Sequence, residues 1–168
     1  MSISQSFLPE FDQEMANTRK VLERLPNEKW DFKPHPKSMS VAELATHVAE
    51  MMNWTAVTVR DPGYDIPADY QPKPHPNREA ALAFFDQELK AARSAIENCS
   101  DAAWQDIWKL SFGGKEMMAM PRIAVYRSFC MNHIVHHRAQ LMVYLRLLDL
   151  PVPAVYGPSA DEGQMMVP

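Results

Sequence analysis

Three histidines in this 168-residue chain have the type and spacing to hold a metal ion: His47, His133 and His137. His133 and His137 belong to the run NHIVHHRAQL, residues 132–141, which carries three of the chain's six histidines. Four apart, they stack on one helix face a turn from each other. His47 lies far upstream in LATHVAEM, between Leu44 and Met51. All three take inward positions on amphipathic helices, where an apolar residue is the usual occupant. A buried imidazole with an unpaired nitrogen costs about 1–3 kcal/mol, and neither seam offers a clear Asp or Glu partner. One shared divalent ion satisfies all three. Nitrogen donors favour Zn²⁺, Ni²⁺ or Fe²⁺ over Mg²⁺ or Ca²⁺. Three protein ligands leave a coordination position open, the pattern of a catalytic rather than a structural site. A water or thiol at that position loses its proton near neutral pH and becomes a nucleophile.

Neighbouring residues extend this chemistry. His136 projects about 60° from His133 and about 100° from His137, given 100° per helical residue, and flanks the site as a hydrogen-bond donor or proton acceptor. Arg138 and Gln140 are placed to orient a substrate carboxylate or amide, and Arg138 reads equally as a solvated surface charge. His136, Arg138 and Gln140 are therefore the candidate catalytic residues. Cys130, one turn before His133, is either a soft fourth ligand or a small core residue. His35 and His75 each sit in a Lys-Pro-His-Pro tetrapeptide, at 33–36 and 73–76, and read as solvated loop residues.

Four helices must position these groups, and apolar residues at alternating three- and four-residue steps define them. The first seam runs Ser4, Leu8, Phe11, Met15, Thr18, Leu22, Leu25. The second runs Leu44, His47, Met51, Trp54, and the third Leu82, Phe85, Leu89, Ala92, Ile96. The fourth runs Tyr126, Cys130, His133, His137, Gln140, Tyr144, Leu147. Ser40 with Glu43 makes a capping box for the second helix, and Asn77 caps the third. Pro121 suits the first turn of the fourth, and Pro26 and Pro151 close the first and last. This predicts an all-α, single-domain four-helix bundle over residues 1–168. Between helices two and three, residues 61–76 carry five prolines in 16 positions. Extended at about 3.3 Å per residue, they could cross roughly 50 Å, enough to let the two helices run parallel. Gly113-Gly114 between two strand-like runs predicts a small accessory hairpin.

Bulk properties narrow the partners. The formal net charge is −4 without a basic cluster, which argues against nucleic acid. No apolar run approaches the roughly 20 residues of a membrane span. The N-terminus lacks the basic and apolar regions of a signal peptide. Two isolated cysteines fit a reducing compartment, so a cytoplasmic setting and a small-molecule substrate are expected.

The early histidine of LATHVAEM, the later NHIVHHRAQL and the closing YLRLLDLPVPAVYGPSADE together resemble the DinB/YfiT superfamily across essentially the whole chain. The resemblance implies up-down-down-up topology, a divalent metal on His47, His133 and His137, and pairing as a homodimer. It also implies thiol chemistry, since characterised relatives include transferases and isomerases that use small cofactor thiols. Ala139 departs from the glycine of the HHRGQ pattern common in relatives.

The leading expectation is thus a metal-dependent S-transferase with a low-molecular-weight thiol cosubstrate, the metal-bound thiolate being the nucleophile. A metal-dependent hydrolase is the alternative. It lacks an obvious general base, unless Asp161 or Glu162 folds over the site with the C-terminal tail. That tail reads alternatively as packing on a dimer partner or staying mobile. A non-catalytic metal- or ligand-binding module is the third reading.

Overall fold

The computed structural model describes residues 1–163. It is mostly helical, with a small three-stranded sheet. Four long helical stretches dominate: α1 (Ile3–Glu23), α2 (Val41–Arg60), α3 (Arg78–Asn98), and a last one assembled from three pieces. Those pieces are a short α5 (Arg122–Val125), a π-helical segment (Tyr126–Asn132) and α6 (His133–Leu147). A one-turn α4 (Asp101–Gln105) follows α3.

The caps work as the sequence predicts. Ser40 Oγ accepts from the Glu43 amide at 3.1 Å while the Glu43 carboxylate takes the Ser40 amide at 2.6 Å, closing the capping box of α2. Asn77 accepts from the Ala80 amide at the start of α3. Ser4, a polar member of the first seam, donates to the Cys99 carbonyl and accepts from Trp104 Nε1, so its burial leaves nothing unpaired. Phe11, Met15, Leu22, Leu25, Phe85, Ala92 and Ile96 are essentially inaccessible, as their seams require.

α1 packs on α3 and on α6, and α2 packs on the same two. Bonds between their ends fix directions. Ser4 reaches Cys99 and Asn27 reaches Glu79, so α1 and α3 are antiparallel. The His75 amide, just ahead of α3, donates to Thr46 Oγ1 early in α2, so those two run the same way. Met39, just ahead of α2, accepts from the Tyr144 hydroxyl near the end of α6. The proline-rich crossing therefore does what its length allows. It is also pinned: besides its bond to Thr46, His75 accepts from Trp30 Nε1 through its carbonyl at 2.8 Å. His75 is partly buried rather than solvated, because its backbone is the fixing point of that crossing.

The all-α expectation needs correction at this crossing. Residues Gly63–Ile66 form β1, which pairs in parallel with β2 (Ile107–Phe112). β2 pairs antiparallel with β3 (Lys115–Pro121) through the expected hairpin, where Gly113 and Gly114 take φ of 55° and 79°. At Gly63 the two backbones approach so closely that an added Cβ would lie 2.6 Å from the Lys109 carbonyl oxygen. A proline-rich run lacks the period-2 alternation that marks a strand, so only its partner reveals it.

The fourth seam also shifts. Tyr126 and Cys130 are buried as expected, but beyond the π-helical turn the buried residues are Ile134, Arg138 and Leu141, followed by both Tyr144 and Leu145. The first three lie one residue past the predicted His133, His137 and Gln140, while Tyr144 is buried as predicted. A π turn accommodates one extra residue, which advances the helix face by about 100°. The histidines consequently stand at the edge of the core, half-buried, and Arg138 stands inside it.

Candidate metal centre

α2 brings His47, and α6 brings His133 and His137, to one place. One nitrogen from each falls within 4.8 Å of the other two, and all three side chains are half-buried. The ring centroids of His47 lie 5.1 Å from His133 and 4.7 Å from His137. Nε2 of His47 and Nε2 of His133 are 3.3 Å apart. Two nitrogens bound tetrahedrally to zinc at about 2.0–2.1 Å are separated by about 3.3 Å.

The outer nitrogens are already committed. His133 Nδ1 faces the Phe129 carbonyl at 3.3 Å, and its own backbone amide goes to the Cys130 carbonyl instead. His137 Nδ1 faces Gln140 Oε1 at 2.7 Å. A carbonyl or amide oxygen requires N–H at Nδ1, which leaves Nε2 of each ring as a lone pair, that of His133 facing Nε2 of His47. Lone pairs converging at such range repel unless a cation or proton lies between them. Burial lowers all three pKa values; that of His47 falls to about 4, with His137 and His133 adding to the effect of burial. The donors are therefore neutral at physiological pH, as ligation requires. The set fits a divalent transition metal.

Gln140 thus earns a definite role, as the group that fixes the tautomer and orientation of His137. Partners of this kind typically change metal affinity by about 10–100-fold when removed. Gln140→Leu is expected to weaken metal binding by that factor with little change in thermal stability, checked by competition with a chromogenic chelator.

The lowered His47 pKa has a second consequence. Between pH of about 6.5 and about 4 the unfolded chain protonates this imidazole while the folded metal-free chain does not. The folded state of the metal-free protein therefore loses stability as pH falls through that window. Removing the imidazole removes this contribution: metal-free His47→Gln is expected to lose less stability than wild type between pH 7 and pH 4.5, as measured by urea unfolding. An equal loss in both proteins would contradict it.

Other expectations change. Arg138, read as a substrate-orienting residue, is 1% exposed and turned toward α1. Its Nη1 lies 2.7 Å from Glu14 Oε2 and also bonds the Glu14 carbonyl and Thr18 Oγ1, while Nη2 bonds the Tyr156 hydroxyl. It holds helices together and is not in the site. His136 is exposed, its ring 4.8 Å from that of His137. Cys130 is buried against Thr58, 3.7 Å away, and burial pushes its thiol up to about 11. It stays a neutral core thiol and is absent from the converging donors. Asp161 pairs with Arg146 and takes the Val152 amide, and Glu162 pairs with Arg24 and takes the Ala154 amide. Both lock the C-terminal segment onto α1 and α6, so both carboxylates are committed to these partners. The tail's last residues, 164–168, lie outside the described residues.

A cavity of about 440 Å³ opens beside His47. The loop 33–39, the α2 residues Glu43, Thr46, His47, Glu50 and Trp54, and Tyr70, Pro72 and Pro74 of the crossing enclose it. Glu50 is the residue the sequence reading missed. It follows His47 by three positions and shares its face, a signal present in HVAE.

Known proteins resemble this chain in sequence and in fold. A profile of the DinB superfamily matches residues 10–141. The uncharacterised protein YrdA of Bacillus subtilis strain 168 is 27% identical over 160 residues, spanning 93% of this chain and 89% of its own. Two solved structures share the fold. A DinB-like protein of Bacillus cereus ATCC 10987 has a TM-score of 0.68 at 18% identity, over 92% of this chain and 98% of that one. The DinB-like protein YjoA of Bacillus subtilis has a TM-score of 0.69 at 16% identity, over 89% and 96%. Among the described residues, no helix is long and apolar enough to cross a membrane. With the profile covering most of its length, the chain belongs to the DinB superfamily.

Proposed function

We propose that this protein is a divalent-metal-dependent enzyme that activates a small thiol for transfer to an electrophile. The scaffold in this reading is one up-down-down-up four-helix bundle over residues 1–168. The observation that carries it is the convergence of one nitrogen from each histidine, with the outer nitrogens of His133 and His137 held, next to a cavity that His47 lines and that is large enough for a small molecule. An ion held there supplies a Lewis-acid position at which a thiol or water loses its proton near neutral pH. The chain's own residues do the rest. Gln140 and the Phe129 carbonyl orient the ligands, and His136, exposed beside His137, is placed to relay protons with solvent. The walls of the cavity exclude part of the bulk water and hold the acceptor.

Water as nucleophile is the second reading, and Glu50 favours it: a carboxylate one turn from His47 supplies a general base. Zinc- and nickel-reconstituted protein assayed with several low-molecular-weight thiols and a chromogenic electrophile separates the two. Metal- and thiol-dependent product supports the transferase. Metal-dependent turnover without thiol supports the hydrolase. No turnover by fully metallated protein leaves a binding module. The same reading places the enzyme in the cytoplasm as a homodimer acting on small molecules rather than nucleic acid. Light scattering of the purified protein checks the dimer.

A further inference from the structure

The cavity beside His47 has two carboxylates in its wall, and only one is committed. Glu43 accepts from the Ser40 amide at 2.6 Å and pairs with Lys33 at 3.1 Å. Glu50 is half-buried, and among the described residues neither a hydrogen bond nor an ion pair reaches it. Burial alone acts on its carboxyl group, pushing it up from the ordinary carboxylate range. A carboxylate withdrawn from water without a counter-charge is an unmet demand for a cation.

Its surroundings say which kind. Trp54 stands one turn beyond Glu50 on α2, and its indole is braced edge-on by Tyr64 with centroids 5.3 Å apart. Tyr70 faces the same cavity from the crossing segment. Its phenol is pushed up first by burial and then by the Glu50 charge, so the two groups lie within electrostatic reach. A carboxylate flanked by aromatic faces binds an organic ammonium, which gains an ion pair and cation–π attraction together. A bare metal ion would find too few oxygens here.

The basic residues of the cavity do not satisfy Glu50. Lys33 is held by Glu43, and Lys37 is exposed on the loop before α2. From Ser40 to Glu50 the helix rises about 15 Å, given 1.5 Å per residue. The cavity is therefore polarised, acidic and aromatic at one end and basic at the other, with His47 between.

We propose that the cavity recognises a primary ammonium group through Glu50, Trp54 and Tyr70, and that the thiol cosubstrate is accordingly an aminothiol, its sulfur toward His47. Side chains three apart on a helix stand about 5–6 Å from each other at Cβ, so only a short spacer separates sulfur from nitrogen. The aminothiol identity rests on the thiol reading above; the ammonium site does not.

Binding to the zinc-loaded protein, read by calorimetry, tests the two parts separately. The probes are cysteamine, 2-mercaptoethanol, which replaces the ammonium with hydroxyl, and ethylamine, which lacks the sulfur. Cysteamine is expected to bind at least tenfold more tightly than either. Glu50→Gln is expected to bring cysteamine down to the level of 2-mercaptoethanol and to leave 2-mercaptoethanol unchanged. Zinc content and melting temperature of the variant, matched to wild type, show that the centre and fold persist. Cysteamine binding equally well to wild type and Glu50→Gln overturns the ammonium site, as does the absence of any cysteamine binding. Ethylamine binding as tightly as cysteamine, with both weakened by Glu50→Gln, keeps the ammonium site and overturns the thiol reading.

Discussion

His137→Ala is expected to empty the metal centre while leaving the chain folded. Wild-type protein purified without chelator should carry close to one equivalent of metal by elemental analysis, and the variant little. Affinity should fall by at least about 100-fold, since altering even the outer partner of a ligating histidine costs about 10–100-fold. Turnover attributed to the centre should disappear with the metal. The fold should survive because His137 stands at the edge of the core, half-buried, and its removal relieves crowding with two neighbouring imidazoles. The variant without metal should unfold within about 1 kcal/mol of metal-free wild type, as for substitutions that leave no cavity and no unpaired charge. Added metal distinguishes them further. An ion at 100 times its dissociation constant stabilises the native state by about 2.7 kcal/mol, which raises Tm by roughly 5–10 °C in a chain of this size. Wild type should show that rise and the variant should not. A variant that cannot fold at all would point to an ion that builds the fold, and so to the binding module.

Arg138→Met is expected to do the reverse: keep the metal and lose stability. Arg138 is 1% exposed, and the Glu14 side chain paired with it is 11% exposed. The Tyr156 hydroxyl closes the network by donating to Glu14 Oε2 at 2.7 Å while accepting from Arg138 Nη2 at 2.5 Å. Removing one partner of a buried pair leaves an uncompensated charge and costs about 3–5 kcal/mol. That corresponds to a fall in Tm of roughly 10 °C for a domain this large. Replacing both members, Glu14→Leu with Arg138→Met, should recover much of the loss, because the stranded carboxylate disappears with its partner. Metal stoichiometry should stay at the wild-type level in both variants, because Arg138 faces α1 and not the histidines. A loss of metal in Arg138→Met with unchanged Tm would return this residue to the site.

The different fates of Arg138 and Gln140 show how far local spacing reaches. Both stand beside the histidine pair in NHIVHHRAQL, and by composition either suits a substrate. The i, i+3 relation of His137 and Gln140 is local, so the sequence contains it. The burial of Arg138 depends on which face of α6 meets α1, and that face is set by the wide turn at Tyr126–Asn132. Hydropathy spacing carries no mark of an extra residue in a turn, since the pattern before it and the pattern after it each look regular. The same holds for β1. Gly63–Ile66 becomes a strand because β2 lies beside it, not because its residues alternate. Asp161 and Glu162 were visible as carboxylates, and only the folded chain gives them Arg146 and Arg24 as partners.

By itself the sequence determined the helices, their caps, the long crossing that makes α2 and α3 parallel, the hairpin at Gly113-Gly114, and the three imidazoles able to share an ion. These follow from bonding between residues a few positions apart and from the fixed reach of an extended chain, and both are properties of the sequence alone. The tertiary structure decided the phase of α6, the removal of Arg138 from the site, the strand hidden in the crossing, and the cavity that joins Glu50, Trp54 and Tyr70 beside His47. Each depends on which surfaces meet across the fold. Burial selects among helix faces and strand partners that local bonding leaves equivalent, and it acts only once the elements have packed.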